Sequence, residues 1–211
     1  MKQGIIFDLD GVLLSTDEMH YEAWKSVADE LSIPFDRAVN NRLRGVSRME
    51  SLEIILDRSS QTFSPEEKEI LAARKNDRYR ALLQSLTPDA VAPEVRDTLS
   101  ELKERGLKLA VGSSSKNTKL ILSLTDLEHF FDAVSDGTNI TRSKPDPEVF
   151  LKAAEFIGLT PADCAVVEDA TAGIDAAIAG GFTGIGIGDA ALYGKTEITI
   201  QSLNDLLQYI Q

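Results

Sequence analysis

Cysteine is almost absent from this 211-residue chain, which also has one tryptophan, two histidines and an aromatic content of only 6%. With Cys164 alone no intrachain disulfide can form, so an apolar core must hold the fold, and a reducing, cytoplasmic setting is expected. Cys164 sits inside Cys164-Ala165-Val166-Val167, where it reads as a small buried hydrophobe rather than a nucleophile. Long hydrophobic runs are missing too. The longest small-apolar stretch, Ala176 to Gly188, has thirteen residues and falls well short of the ~20 that span a bilayer. The apolar segment before Asp8 is too short for a signal peptide. Positive charge is scarce: 22 Lys and Arg against 34 Asp and Glu give a net charge of −12. That balance argues against nucleic-acid or membrane partners. It also means that a phosphate ligand would need a few local cations or a metal.

The remaining composition, 43% hydrophobic and 27% charged, is that of an ordinary globular protein with a real core. Its most informative segment is Gly4-Ile5-Ile6-Phe7-Asp8-Leu9-Asp10-Gly11-Val12-Leu13. Gly4 to Phe7 is short, apolar and β-branched, the pattern of a strand buried on both faces. Asp8 and Asp10 follow, two residues apart, on one side of the chain for as long as it stays extended. Unpaired carboxylates there are costly unless a cation or a reaction uses them. The carboxyl edge of an open α/β sheet is where ligands bind. An Asp-x-Asp can also simply cap a turn.

Further strands are expected at 107–111, 133–134, 165–167 and 184–187, with helices at 94–105, 118–124, 148–157 and 172–179. Gly106 reads as a helix stop, and Asp146-Pro147 as N-cap and first helical residue. This alternation predicts an α/β fold, a parallel sheet with helices on both faces. A last helix is expected over 202–210. From about Thr16 to Gln84 no strand is visible, only helical periodicity: Trp24, Val27, Ala28 and Leu31 mark one buried face. Ser64-Pro65-Glu66-Glu67 carries an N-cap, a proline and a capping-box glutamate for a helix running to about Leu83. An all-helical insert thus follows the first strand, next to the acidic edge, where it could act as a lid.

Other polar signals fall at strand ends. Gly112-Ser113-Ser114-Ser115-Lys116-Asn117 opens a helix with hydroxyls and backbone N–H groups suited to an anion, although serine runs are often only caps. Ser143-Lys144-Pro145-Asp146-Pro147 places a lysine between a loop and a helix start, with Pro145 and Pro147 stiffening the backbone around it. Glu168-Asp169 follows another strand; with Asp8 and Asp10 it makes an all-oxygen set that favours Mg²⁺.

In this order, Asp-x-Asp-Gly-Val, strand-end serine, Lys-Pro and Glu-Asp resemble the four motifs of the haloacid dehalogenase-like superfamily. The resemblance implies a Rossmann-like parallel-sheet core at residues 1–15 and 87–211 and a small α-helical cap domain at 16–86. Segments 16–25, 43–52 and 73–77 are similar to the caps of that superfamily's sugar phosphomutases. By that resemblance Asp8 is the nucleophile, Asp10 the general acid/base, and Thr16 and His20 assist Asp10. Ser113 and Lys144 hold the transferring phosphate. Mg²⁺ is bound by Asp8, Asp169, the Asp10 carbonyl and, directly or through water, Glu168. Arg48, Ser115, Lys116 and Asn117 take a second phosphate. Trp24, Gly45, Val46, Ser47, Ser51, Lys75 and Ser114 complete the substrate surface. The implied partners are small-molecule sugar phosphates and the implied state is a monomer. A sugar-phosphate phosphatase needs only Asp8, Asp10, Ser113, Lys144 and Asp169, and is the rival reading.

Overall fold

The computed structural model describes residues 2–210. Six parallel strands form one sheet in the order β3-β2-β1-β4-β5-β6. They are β1 (Gly4–Phe7), β2 (Lys108–Gly112), β3 (Ala133–Ser135), β4 (Cys164–Glu168), β5 (Thr183–Gly186) and β6 (Ile198–Thr199). Strand periodicity divides the sheet's side chains between two cores. Ile5, Phe7, Leu109, Val111, Ala165 and Val167 face α5 (Pro93–Glu104) and α6 (Thr118–Leu124). Ile6, Ala110 and Val166 face α7 (Glu148–Phe156) and α8 (Thr171–Ala179). Both faces are therefore covered, as the unbroken apolar runs of the central strands require.

Four α-helices lie between β1 and α5: α1 (Asp17–Glu30), α2 (Arg37–Asn41), α3 (Arg48–Leu56) and α4 (Pro65–Leu83). They bury an apolar cluster of their own around Trp24, Val27, Ala28, Leu52, Ile55 and Leu71. Helix α4 begins at the expected cap, with the Ser64 hydroxyl accepting from Glu67 N and the Glu67 carboxylate accepting from Ser64 N. On the inward side Ala23, Tyr79 and Leu83 join the core cluster beneath β1.

Several boundaries differ from the sequence reading. The chain does not stay extended through Asp10, because β1 ends at Phe7. Asp146 is not the N-cap of α7; Pro147 holds that position, and the Asp146 carboxylate accepts from Glu148 N. The two-residue β6 was not expected, being too short to show a period. Segment 202–210 is one 3₁₀ turn followed by the short α9 (Leu206–Tyr209). Cys164 is buried at the start of β4, where burial pushes its thiol up to about 11. Among the described residues no helix is long and apolar enough to cross a membrane.

Candidate active site

Acidic residues gather where β1 and β4 end side by side. The Asp8 backbone N–H continues the ladder to Val167 O at 3.0 Å, and its side chain turns toward β4. Lys144 Nζ donates to Asp8 Oδ1 at 2.6 Å and also to Glu168 Oε1. Lys144 and Glu168 are fully buried beneath the site rather than on its wall. Asp8, Glu168 and Asp169 each bring a carboxylate oxygen within 4.8 Å of the others. Two glycines make room for them. A Cβ on Gly11 would lie 2.1 Å from Asp169 Oδ2, and one on Gly173 would lie 2.0 Å from Glu168 Cδ.

Burial, reinforced by mutual repulsion, raises Asp169 and Glu168 well above the usual carboxylate range, while Lys144 acts the other way. Burial alone would depress Lys144, but the charges and hydrogen bonds of Asp8 and Glu168 outweigh it and raise its pKa. The Lys144 ammonium, with the Arg44 guanidinium 3.8 Å from Asp169, stands against three carboxylates and leaves the cluster short of positive charge. Hard oxygen donors in that state fit a divalent cation such as Mg²⁺.

Asp10 lies outside this cluster, on the side of the helical insert. Its Oδ1 accepts from Thr16 N at 2.8 Å and Thr16 Oγ1 at 2.5 Å. Thr16 therefore leaves α1 without a side-chain cap. Tyr79 OH lies 2.7 Å from Thr16 Oγ1; with the threonine proton given to Asp10, the phenol is the donor there. His20 Nε2 stands 3.9 Å from Asp10 Oδ2, and Lys75 Nζ lies 2.7 Å from His20 Nδ1. A donor at Nδ1 places the imidazole proton on Nε2, facing Asp10. Burial, then Lys75 and Arg48, hold His20 well below its usual value, so this ring is neutral. Burial, followed by Asp8's charge, carries Asp10 up to about 6 against the opposing Thr16 bonds. Burial and Arg48 bring Lys75 down to about 7.

Beyond β2 the segment Ser113–Asn117 folds back on itself: Ser115 N donates to Ser113 Oγ at 3.3 Å and Asn117 N to Ser115 Oγ at 3.2 Å. Gly137 N donates to Ser115 O at 3.0 Å, a close approach that a Cβ only 2.4 Å from Ser114 O would forbid. Across from this loop, Ser114 Oγ donates to the carbonyl of Gly45, which has φ +75°. Ser47 caps α3 in a capping box with Glu50, and Arg48 opens the helix. Arg48 has no carboxylate within 4.0 Å among the described residues, and burial lowers its pKa despite nearby Asp77. Asp8, Asp10, His20, Arg48, Lys75 and the Ser113–Asn117 loop line one cavity of ≈ 590 Å³.

That cavity is lined by every residue expected at the substrate surface except Lys144: Trp24, Gly45, Val46, Ser47, Arg48, Ser51, Lys75 and the whole of Ser113 to Asn117. Of the other expected site residues, Asp8, Asp10, His20 and Asp169 line it, while Thr16, Lys144 and Glu168 stand behind it. Sequence reasoning missed three groups. Tyr79, four residues after Lys75 and so on the same face of α4, was legible from spacing alone. Arg44 pairs with Asp17, with Asp189 at 3.1 Å and with Asp169 at 3.8 Å, tying the insert to the sheet edge. Asn76 and Arg80 both reach Asn117 from the insert. No local signal joins residues so far apart in sequence.

The family model for haloacid dehalogenase-like hydrolases matches residues 2–181. The chain belongs to this family and is an enzyme. It is 40% identical to a beta-phosphoglucomutase of Bacillus subtilis strain 168, over 97% of this chain and 91% of that one. It is also 31% identical to a phosphorylated carbohydrates phosphatase of Thermotoga maritima, over 96% and 88% of the two chains. A crystal structure of beta-phosphoglucomutase from Clostridium difficile matches with a TM-score of 0.94 at 36% identity, covering 100% of this chain and 96% of that one.

Proposed function

We propose that this enzyme is a Mg²⁺-dependent β-phosphoglucomutase, interconverting β-D-glucose 1-phosphate and glucose 6-phosphate through β-glucose 1,6-bisphosphate. One observation supports the reading: a single cavity is lined by two sets of groups that could each take a phosphate. Asp8 and Ser113 form one, and Arg48 of the insert, opposite Ser115 to Asn117, forms the other. A phosphatase needs only the first.

In this reading the Asp8 carboxylate attacks phosphorus in line; an O–P bond forms to Asp8 as the bond from phosphorus to the sugar oxygen breaks. Asp10 gives its proton to the departing oxygen, and the aspartyl-phosphate remains. With the 1-phosphate of the bisphosphate attacked, glucose 6-phosphate leaves, and β-glucose 1-phosphate then binds with its 6-hydroxyl toward Asp8. Asp10 takes the proton from that hydroxyl, and its oxygen takes the phosphoryl group as the O–P bond to Asp8 breaks. This regenerates the bisphosphate, which turns before the next round. A pKa of about 6 suits Asp10 to both directions. Thr16 holds it in place, and His20, oriented by Lys75, stands 3.9 Å from it. Lys144 fixes Asp8 from below, and Ser113 hydrogen-bonds the transferring oxygens. Asp8, Asp169, the Asp10 carbonyl and, directly or through water, Glu168 would hold Mg²⁺, which would supply the positive charge a phosphate needs to approach four acids. Residues 16–86 act as a cap domain over 1–15 and 87–211, excluding water from the aspartyl-phosphate.

The test is anomer-resolved NMR of the purified enzyme with Mg²⁺, β-glucose 1-phosphate and a trace of β-glucose 1,6-bisphosphate. Glucose 6-phosphate should accumulate with little free phosphate. Stoichiometric phosphate release without isomerisation would instead assign the sugar-phosphate phosphatase activity carried by the Thermotoga maritima relative's name.

A further inference from the structure

Helix α4 presents two neighbouring stripes to the sheet domain. Lys75 and Tyr79, four apart, serve the Asp10 group through His20 and Thr16. Asn76 and Arg80, also four apart, converge on Asn117 of the serine-rich loop. Arg80 Nη1 donates to Asn117 Oδ1 at 3.4 Å, and Asn117 Nδ2 donates to Asn76 Oδ1 at 3.0 Å. Because a guanidinium can only donate, Arg80 dictates which end of the Asn117 amide points where. Asn117 is 4% exposed and precedes α6 as its N-cap, yet its side chain makes no cap bond. Its amide is committed to the insert instead.

Charge makes the same point. Arg80, like Arg48, has no carboxylate within 4.0 Å among the described residues, in a chain of net charge −12. Burial first, and then the Arg80 charge, depress Arg48, and Asp77 and Tyr79 work against them. Two like charges held together beside a loop of hydroxyls and amides are stabilised by an anion placed between them.

We propose that Arg80 is a positioning and specificity-determining residue of the second phosphate pocket: it orients the Asn117 amide and adds a guanidinium charge beside Arg48, so that the site selects sugars phosphorylated at the non-reacting end. This rests on the two-phosphate reading above. Arg80 is exposed and stands behind Asn117, so it acts through that amide and through its charge.

The experiment compares wild type, Arg80→Ala and Arg80→Lys with two phosphoryl donors: β-glucose 1,6-bisphosphate, which fills both ends, and acetyl phosphate, which fills only the reacting end. Loss of one charge-assisted contact predicts about a tenfold rise in half-saturation for the bisphosphate in Arg80→Ala. kcat should change by less than about twofold, Arg80→Lys should recover much of the loss, and acetyl phosphate kinetics should be unaltered. No change with either donor, or an equal loss with both, overturns the proposal. If wild type hydrolyses sugar phosphates without isomerising them, the mutase reading fails on its own. The Arg80 claim is then read from calorimetric affinity for glucose 6-phosphate in an Asp8→Asn background: the tenfold weakening supports it, and unchanged affinity refutes it.

Discussion

Lys144 of the sheet domain and Lys75 of the helical insert are both almost fully buried, at 1% and 2% exposure, but in opposite circumstances. Lys144 has Asp8 and Glu168 against its ammonium, and their attraction outweighs the cost of burial. Lys75 has a neutral imidazole and two aromatic faces, Trp24 at 5.0 Å and Tyr79 at 4.4 Å, and no carboxylate within 4.0 Å among the described residues. Its charge is left uncompensated, and its pKa falls to about 7. The sheet side of the cavity is thus electrostatically complete except for a cation, and the insert side except for an anion. A metal-bound phosphate ester carries both missing charges, which is why neither half makes full sense without the other.

Breaking the Lys144 side should have the larger effect. Lys144→Ala leaves two buried carboxylates unpaired and should cost roughly 3–5 kcal/mol in denaturant unfolding, measured in the presence of a chelator. A loss below about 1 kcal/mol would mean that Asp8 and Glu168 find other partners.

The reverse sign is expected for Lys75. Folding lowers its pKa from 10.5 to about 7, so between those values the unfolded chain binds the extra proton. The penalty is complete below pH 7 and is relieved as pH rises toward 10.5. Lys75→Met should therefore stabilise the protein at pH 6, by roughly 2–5 kcal/mol, and progressively less at pH 7.5 and 9. Thermal unfolding at the three pH values checks this. A gain that does not vary with pH would contradict the picture of an uncompensated charge.

Arg44 gives the smallest expected change. Its Asp189 partner is 74% exposed, and such pairs contribute under about 1 kcal/mol. Arg44→Gln should speed amide exchange in residues 43–46, where the insert meets the sheet edge, and leave β1 amides unchanged. Equal acceleration in both would show that the two regions open as one unit.

The contrast between the regions also explains what could be read in the sequence. The ends of β1, β2 and β4 carry their acids, serines and turns within a few residues of each strand, so local pattern placed Asp8, Ser113, Glu168 and Asp169 at one edge. Helix α4 was readable for the same reason, its cap and its proline being adjacent. What depends on how distant segments meet was not readable. Asp10 turns to Thr16 because β1 ends at Phe7, three residues earlier than an extended chain would require. Lys144 lies under the site rather than on its wall because β1 and β4 are neighbours in the sheet. Arg44, Asn76 and Arg80 become site residues only once the insert has docked on the sheet edge.

The central claim is that Asp8 itself accepts the phosphoryl group. Wild-type enzyme, Mg²⁺ and β-glucose 1,6-bisphosphate, quenched in acid during turnover and mapped by peptide mass spectrometry, tests it most directly. Phosphate should appear on Asp8, and Asp8→Asn should show neither that adduct nor measurable isomerisation while keeping the wild-type fold by circular dichroism. An adduct on Asp10, or an Asp8→Asn variant that still isomerises at an appreciable rate, would contradict the account.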